Sequence, residues 1–265
     1  MDSGIPVDAI DDVAVILLAA GPGTRLGAKR PKAFVGLGDR VLLAWSLDVF
    51  EQHPAVDSIV LVVPEGWKEP AAILIDDLGC DRVSSIEVGA STRAGSVLAG
   101  LAAVADRRET AVLVHDAARP LVTSQMVDRT LAGLADGFDV VVPTLPVYDT
   151  IKQVDASGVV VATPPRDSLR AAQTPQACRA SVLRAALEAI PDDEMAAVTD
   201  CAQAIERAGG RVLAVEGDTR ARKLTTLEDL RSFEQQLGIG APVPVADHEG
   251  GNDDDDTHSG HDDDD

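Results

Sequence analysis

The stretch 13–34, V-A-V-I-L-L-A-A-G-P-G-T-R-L-G-A-K-R-P-K-A-F, constrains this chain more than any other. Its first half is an unbroken aliphatic run stopped by glycine, which suits a strand buried on both faces of a parallel sheet. Gly21 and Gly23 then let the backbone approach a ligand closely and present N–H groups to an anion. Arg25, Lys29, Arg30 and Lys32 follow, four cations within eight residues of a chain whose net charge is −21. So many fixed cations beside a glycine turn predict a polyanionic ligand, and a nucleoside triphosphate fits. Two other glycine loops fit worse. A dinucleotide fingerprint wants helix directly after the second glycine, whereas Arg30-Pro31-Lys32 interrupts any helix, because proline lacks the N–H and clashes with the preceding turn. A P-loop needs Gly-Lys-Ser/Thr, which does not follow. The bland alternative is a glycine turn with solvated basic residues.

Composition narrows the classes. With 265 residues and 45% apolar content the chain can bury a substantial core. No apolar run reaches membrane-spanning length, so no membrane partner is expected. The acidic start, Met1 to Asp12, lacks the basic opening of a signal peptide. Cys80, Cys178 and Cys201 are too few and too scattered for a disulfide framework or zinc site, and they predict a reduced, cytoplasmic setting. Residues 241–265 hold ten carboxylates and no Lys, Arg or aromatic residue. Such a segment cannot bury enough surface to fold, so one domain over 1–240 followed by a disordered acidic tail is expected. The body is acidic even without the tail, which argues against nucleic acid as a partner.

Strand and helix patterns alternate along the chain. Helical spacing covers Leu42–Phe50, Ala71–Leu78, Ser91–Val104 and a Ser124-capped stretch to Leu134, and strands are expected at Ser58–Val63, Arg82–Val88, Ala111–Val114 and Phe138–Val142. This alternation predicts an α/β fold with a doubly wound, mostly parallel sheet, whose ligands sit beyond the carboxyl ends of the strands. Both 21–32 and 115–119 lie just past such ends. The alternation then breaks. Val147–Val154 and Gly158–Thr163 read as two strands of a protruding β-hairpin arm, about 145–166, joined by a turn at 155–158. A lone hairpin is marginally stable in water, so it should pack on something else, such as another subunit. A loop 164–176, a helix Ala180–Ala189, a Thr199-capped helix to Ala208, a strand Arg211–Val215 and a helix Thr226–Leu237 complete the prediction.

Asp116, at a strand end facing the glycine loop, suits a Mg²⁺ ion held against phosphate oxygens, although an aspartate there also serves as an ordinary turn residue. Arg25 and Lys32 can neutralise charge developing on a phosphorus under attack. Arg166 and Lys223 are candidates for gripping a second, phosphate-bearing substrate, although single surface cations are commonly just solvated.

Seven segments together carry a family resemblance: L-A-A-G-P-G-T-R-L with R-P-K at 30–32, V-G-A-S-T-R-A-G-S-V-L-A-G-L at 88–101, V-H-D-A-A-R-P at 114–120, D-T-I-K at 149–152, A-Q-T-P-Q at 172–176, V-T-D at 198–200 and K-L-T-T-L-E-D-L at 223–230. In this order they resemble the 2-C-methyl-D-erythritol 4-phosphate cytidylyltransferase family over about Val13 to Leu237. The resemblance implies a Rossmann-like nucleotidyltransferase fold. It also implies transfer of CMP from CTP to methylerythritol 4-phosphate, giving 4-diphosphocytidyl-2-C-methyl-D-erythritol and pyrophosphate, in non-mevalonate isoprenoid synthesis.

On the family's pattern Arg25, Lys32, Arg166 and Lys223 are catalytic. Ala19, Ala20, Gly21, Gly23, Ser91, Arg93, Ser96, Asp116 and Ala117 match the CTP-binding stretches. Asp116, Arg119, Thr150, Arg166, Thr174, Thr199 and Lys223 match the acceptor pocket, with Asp200 beside them. Asp116 matches the metal-site aspartate, for Mg²⁺ or another divalent cation. The family is a homodimer whose arms interlock, lending Thr150 and Arg166 to the neighbouring subunit. Two departures stand out: the family's paired glycine is Gly89-Ala90 here, and its Asp-Asn pair before Lys223 is replaced by Arg220-Ala221-Arg222, with Asp218 nearby. Two other readings share the CTP site: a sibling enzyme acting on another polyol phosphate such as ribitol 5-phosphate, and a non-catalytic nucleotide-binding regulator. Retention of Arg25, Lys32 and Asp116 together speaks against the regulator, since a sensor needs affinity but no transition-state cations.

Overall fold

The structure is a computed structural model, which describes residues 10, 12–21, 23, 26, 30–104 and 110–239. The expectations for Arg25, Lys29 and the tail 241–265 lie outside the described residues. From the N-terminus the elements are β1 (Asp12–Leu18), the short pair β2 (Gly36–Leu37) and β3 (Arg40–Val41), α1 (Leu42–Gln52), β4 (Ser58–Val63), α2 (Lys68–Leu78), β5 (Val83–Val88) and α3 (Arg93–Ala103). They continue with β6 (Thr110–Asp116), α4 (Ser124–Ala135), β7 (Val140–Pro146), β8 (Gln153–Val154), β9 (Val160–Ala162), β10 (Arg170–Ala172), β11 (Gln176–Arg179), α5 (Ala180–Glu188), α6 (Cys201–Arg207), β12 (Val212–Glu216) and α7 (Leu227–Gln236).

Eight strands form one mixed sheet. β6, β1, β4 and β5 lie parallel side by side, β11 joins β6 antiparallel, and β7 follows, antiparallel to β11 and β10 and parallel to β12. β1 lies inside this sheet between β4 and β6, which explains its unbroken aliphatic run. Its odd residues Val13, Val15 and Leu17 join Leu43, Leu47 and Phe50 of α1 and Val127 and Leu134 of α4. Its even residues Ala14 and Ile16 join Val97 and Leu101 of α3, Leu183 of α5 and Ile205 of α6. The sheet is therefore covered by helices on both faces, and each fully buried aliphatic side chain contributes about 1.5–3 kcal/mol. At Gly100 an added Cβ would meet Ile16 Cγ2 at 2.5 Å. That close approach seats α3 tightly over β1 and β4, and its first turn beside their carboxyl ends.

The structure corrects several local expectations. The expected loop 164–176 contains a 3₁₀ turn (Arg166–Ser168), the strand β10 and the start of β11. Helix α2 begins at Lys68, ahead of Pro70, because proline is tolerated in a first turn where its missing N–H has no partner to lose. Helix α4 is capped by Thr123, whose side chain accepts from Met126 N, and α6 by Asp200, which accepts from Gln203 N. Ser124 and Thr199 sit one place away. The arm strands are shorter than expected: β8 and β9 pair only with each other among the described residues, and all five of their residues are exposed.

Candidate active site

A cavity of about 340 Å³ opens beyond the carboxyl ends of β1, β5 and β6. The loop after β1 supplies Ala19, Ala20, Gly21, Gly23 and Lys32, the start of α3 supplies Ser91, Arg93 and Ser96, the end of β6 supplies Asp116, and Lys223 closes one side. Ten residues expected at the site, from segments over two hundred positions apart, thus line one hollow.

Local chemistry explains the shape. Gly23 has φ +69°, a left-handed backbone that favours glycine, and a Cβ there would lie 2.9 Å from Lys32 Cβ. The glycine lets the Lys32 backbone fold against the loop, where Lys32 N donates to Gly21 O at 3.4 Å. Gly89 does the same for the opposite wall: a Cβ would lie 2.5 Å from Ala20 Cβ and 2.9 Å from Ser96 Oγ. The Ser96 hydroxyl accepts from Ala90 N at 3.0 Å and donates to Thr92 O at 2.9 Å, while Thr92 caps α3 by accepting from Gly95 N. Alanine at position 90 therefore keeps the turn, with its N–H committed to Ser96.

Asp116 is the electrostatic centre. Its Oδ1 accepts from Arg93 Nε at 3.2 Å and its Oδ2 from Lys223 Nζ at 2.8 Å. Burial pushes the Asp116 carboxyl upward, but Arg93 and Lys223 outweigh it and hold the group well below the usual carboxylate range. Arg93 is likewise held charged: burial opposes the guanidinium, and Asp116 more than offsets it. Its Nη1 donates to Cys201 Sγ at 3.8 Å, while Nη2 is buried without a hydrogen-bond partner among the described residues. A buried unpaired guanidinium N–H beside a cavity is a donor left over for an anionic or carbonyl ligand. Among the described residues no group of three or more His, Cys, Asp or Glu could hold a metal by itself. Asp116 is a single hard oxygen donor on this wall, and a divalent cation there would need its other ligands from phosphate oxygens and water. Asp218 is not placed as a second ligand; it is tied to Arg220 at 2.7 Å and caps the 3₁₀ turn Thr219–Ala221.

Other expected site residues stand apart from the cavity. Ala117 is fully buried in the core, and its N–H donates to Leu18 O. Arg119 spans two backbone carbonyls, Ala221 O at 3.0 Å and Ala172 O at 3.2 Å. Thr174 lies buried beneath Asp116, accepting from its N–H at 3.2 Å. Thr199 is exposed and bonded to Gln203. Thr150 is exposed, and Arg166 reaches Tyr148 O at 2.9 Å, beside a separate surface hollow. Leu18, Ala33, Ala90, Thr92, Ala118 and Thr225 also line this cavity, and of these sequence reasoning singled out only Ala90, as a departure from the family's paired glycine. Thr92 carries a signal, as a β-hydroxyl residue just before a helix; Ala33 and Ala118 carry none.

A family model described as 2-C-methyl-D-erythritol 4-phosphate cytidylyltransferase (IspD) matches residues 13–238. The enzyme of that name from Nocardia farcinica is 44% identical over 233 residues, spanning 87% of this chain and 96% of the relative. That from Rhodococcus opacus is 45% identical over 218 residues, spanning 82% and 92%. Among solved structures, the Francisella tularensis enzyme superposes with TM-score 0.71 at 29% identity, covering 85% of this chain and 100% of its own. The Thermus thermophilus enzyme gives 0.68 at 31% identity, covering 86% and 100%. By sequence match over most of its length, and by a fold shared with solved members, the chain belongs to the 2-C-methyl-D-erythritol 4-phosphate cytidylyltransferase family.

Proposed function

We propose that this chain transfers the cytidylyl group of CTP to the phosphate of 2-C-methyl-D-erythritol 4-phosphate, in the non-mevalonate route to isoprenoid precursors. A phosphate oxygen of the acceptor attacks the α-phosphorus of CTP, the bond from that phosphorus to the bridging oxygen breaks, and pyrophosphate leaves. No covalent bond to the enzyme is needed. The catalytic task is then to place two anions together and neutralise charge on the phosphorus between them. Lys32, with Arg25, does the second. The N–H groups of the glycine loop and the half-buried Arg93 hold the nucleotide, together with Ser91 and Ser96. Asp116 holds Lys223 toward the acceptor phosphate, with Arg166 and Thr150 as further grips.

Asp116, with triphosphate oxygens, would hold a divalent cation such as Mg²⁺, which when bound supplies charge neutralisation on the phosphates. The arm, exposed and apolar, is the dimerisation element of a homodimer, and the partner's arm brings Arg166 and Thr150 to the acceptor. The enzyme works in the cytoplasm, where its three unpaired cysteines stay reduced.

The single observation that supports this reading is the Arg93–Asp116–Lys223 set over a glycine loop at the strand ends. Pyrophosphate release from CTP and Mg²⁺ tests it, with methylerythritol 4-phosphate and ribitol 5-phosphate in parallel. Release with the first alone is expected; release only with ribitol 5-phosphate, or with neither, would overturn the assignment.

A further inference from the structure

The segment A-Q-T-P-Q at 172–176 interrupts a strand where an apolar strand would have packed well. β10 pairs with β7 as far as Ala172 opposite Thr144, and Gln173 N still donates to Pro143 O at 2.8 Å. Pairing resumes at Ala177 opposite Val141. Between Gln173 and Ala177 the chain advances four residues while β7 advances two, so it bulges beside the end of β6, where Asp116 sits. Pro175, lacking an N–H, cannot hold the ladder there. Three polar side chains of the bulge are almost wholly buried: Gln173 at 2%, Thr174 at 4% and Gln176 at 1%.

Each one is spent on a different member of the cavity's ion set. Gln173 Oε1 accepts from Asp218 N at 3.0 Å, and its Nε2 donates to Asp218 O at 2.9 Å and Ala221 O at 3.2 Å. One amide thus grips both ends of the 3₁₀ turn two residues before Lys223. Gly217 permits this approach, since a Cβ there would come 2.2 Å from Gln173 Oε1. Thr174 Oγ1 accepts from Asp116 N, so its hydrogen goes to His115 Nδ1 at 2.9 Å; His115 Nε2–H in turn donates to Arg119 O at 3.2 Å. Gln176 Oε1 accepts from Cys201 N at 2.9 Å and Ala202 N at 3.3 Å, while Nε2 donates to Asp200 Oδ2 at 3.0 Å. That seats the first turn of α6, and the Cys201 thiol there meets Arg93 Nη1.

We infer that Gln173 and Gln176 are positioning residues for cytidylyl transfer, Gln173 acting through Lys223 and Gln176 through Arg93, with Thr174 between them setting Asp116. Neither glutamine lines the cavity. A fully satisfied buried polar network fixes one arrangement of the loops it joins, and a half-satisfied one loosens them. The inference rests on the transfer reading above, for the assignment of Lys223 to the acceptor and Arg93 to CTP.

The test compares Gln173→Met and Gln176→Met with the full-length wild type, by steady-state kinetics and by calorimetric CTP binding. By analogy with groups that orient metal ligands, losses of about tenfold or more are expected. For Q176M the loss falls on CTP affinity and the KM for CTP, and it largely disappears in an Arg93→Lys background. For Q173M it falls on kcat and the acceptor KM, and it is not additive with Lys223→Arg. Cys201→Ala keeps both backbone bonds to Gln176 while removing the contact with Arg93 and one buried Sγ from the core, so it should weaken CTP binding several-fold even if Q176M fails to fold. Variants whose melting temperature falls while every kinetic constant stays within about twofold would overturn the inference, as would strictly additive cycles or unchanged CTP affinity in C201A. Wild type that binds CTP but releases no pyrophosphate would defeat the transfer reading alone, because the Gln176 arm is still read in CTP binding; wild type that does not bind CTP would defeat both.

Discussion

The two ends of the candidate site differ in how much of their structure one chain completes. At the nucleotide end Asp116 and Ser96 are buried, Arg93 is bonded on two sides, and each sits on a strand or helix whose other face belongs to the core. At the acceptor end Lys223 reaches the cavity, but Arg166 and Thr150 lie on an exposed arm where Tyr148 is 79% and Val159 61% exposed. A two-stranded hairpin with apolar side chains in water is marginal on its own. Half the site is thus built by folding, and the other half is the part that the proposed pairing of two chains would complete. Whatever removes a nucleotide-end group should act within its own chain; whatever removes an arm group should act across to another.

Lys32→Ala tests the first half and carries the largest expected effect. A cation working on developing charge costs about 10²–10³ in turnover when removed, while glycine-loop N–H groups and Arg93 still hold CTP. Pyrophosphate release should fall by at least that factor, with calorimetric CTP affinity within a few-fold. Unchanged turnover would remove Lys32 from the transfer step.

Arg166→Ala comes next, at about 10² by loss of acceptor placement, and mixing it with Lys32→Ala sharpens the comparison. In a two-fold dimer that exchanges arms, a mixed pair has one site with Lys32 from one chain and Arg166 from the other. Random re-pairing should therefore restore roughly a quarter of wild-type turnover, two inactive proteins giving an active one. No recovery after demonstrated subunit exchange would mean that each chain uses its own arm.

The same division governs what could be read from residue order. The aliphatic run of β1 and the acid at the end of β6 each follow from local chemistry, and both returned in place. β10 and β11 did not, because R-A-A and Q-A-C-R are short, mixed in polarity and separated by proline, a pattern that locally says loop. They are strands because β7 offers an edge to β10, and β6 and β7 together take β11 between them, a fact of tertiary structure. Gln173 and Gln176 were quoted within a motif yet given no role, since a glutamine's value lies in which backbone groups it meets. The arm shows the reverse error: its sequence suggests long strands, but with no sheet to join only five residues form strand.

Acid sensitivity should be smaller and should belong to the nucleotide end. Burial, outweighing the pull of Asp116, lowers His115 to about 4 from an ordinary 6.5. As pH falls, the unfolded chain takes up this proton first, so stability drops between about pH 6.5 and 4, by roughly 3 kcal/mol, and this group adds no further loss below that. Asp116, held low by Arg93 and Lys223, loses its contribution in the same direction, below its ordinary value of 3.8. Urea unfolding of wild type and His115→Asn between pH 7 and 5 should show a steeper loss for wild type, and equal slopes would remove His115 as the cause.

The smallest effect is expected from the tail, and it bounds the comparison from outside. Residues 241–265 carry ten carboxylates and no Lys or Arg, while Lys32, Arg93 and Lys223 line the cavity. A polyanionic segment near such a site would compete with the proposed CTP only if it could reach it, and at physiological salt charges further apart than about 8 Å are largely screened. Deletion after Gly240 should therefore leave kcat and both KM values within about twofold at 0.15 M salt. A fall in the KM for CTP on truncation, larger at low salt than at high, would show that the tail occupies the cation-lined end and would make it part of the nucleotide half. A large drop in turnover would place it with the arm, as a segment that the acceptor end needs.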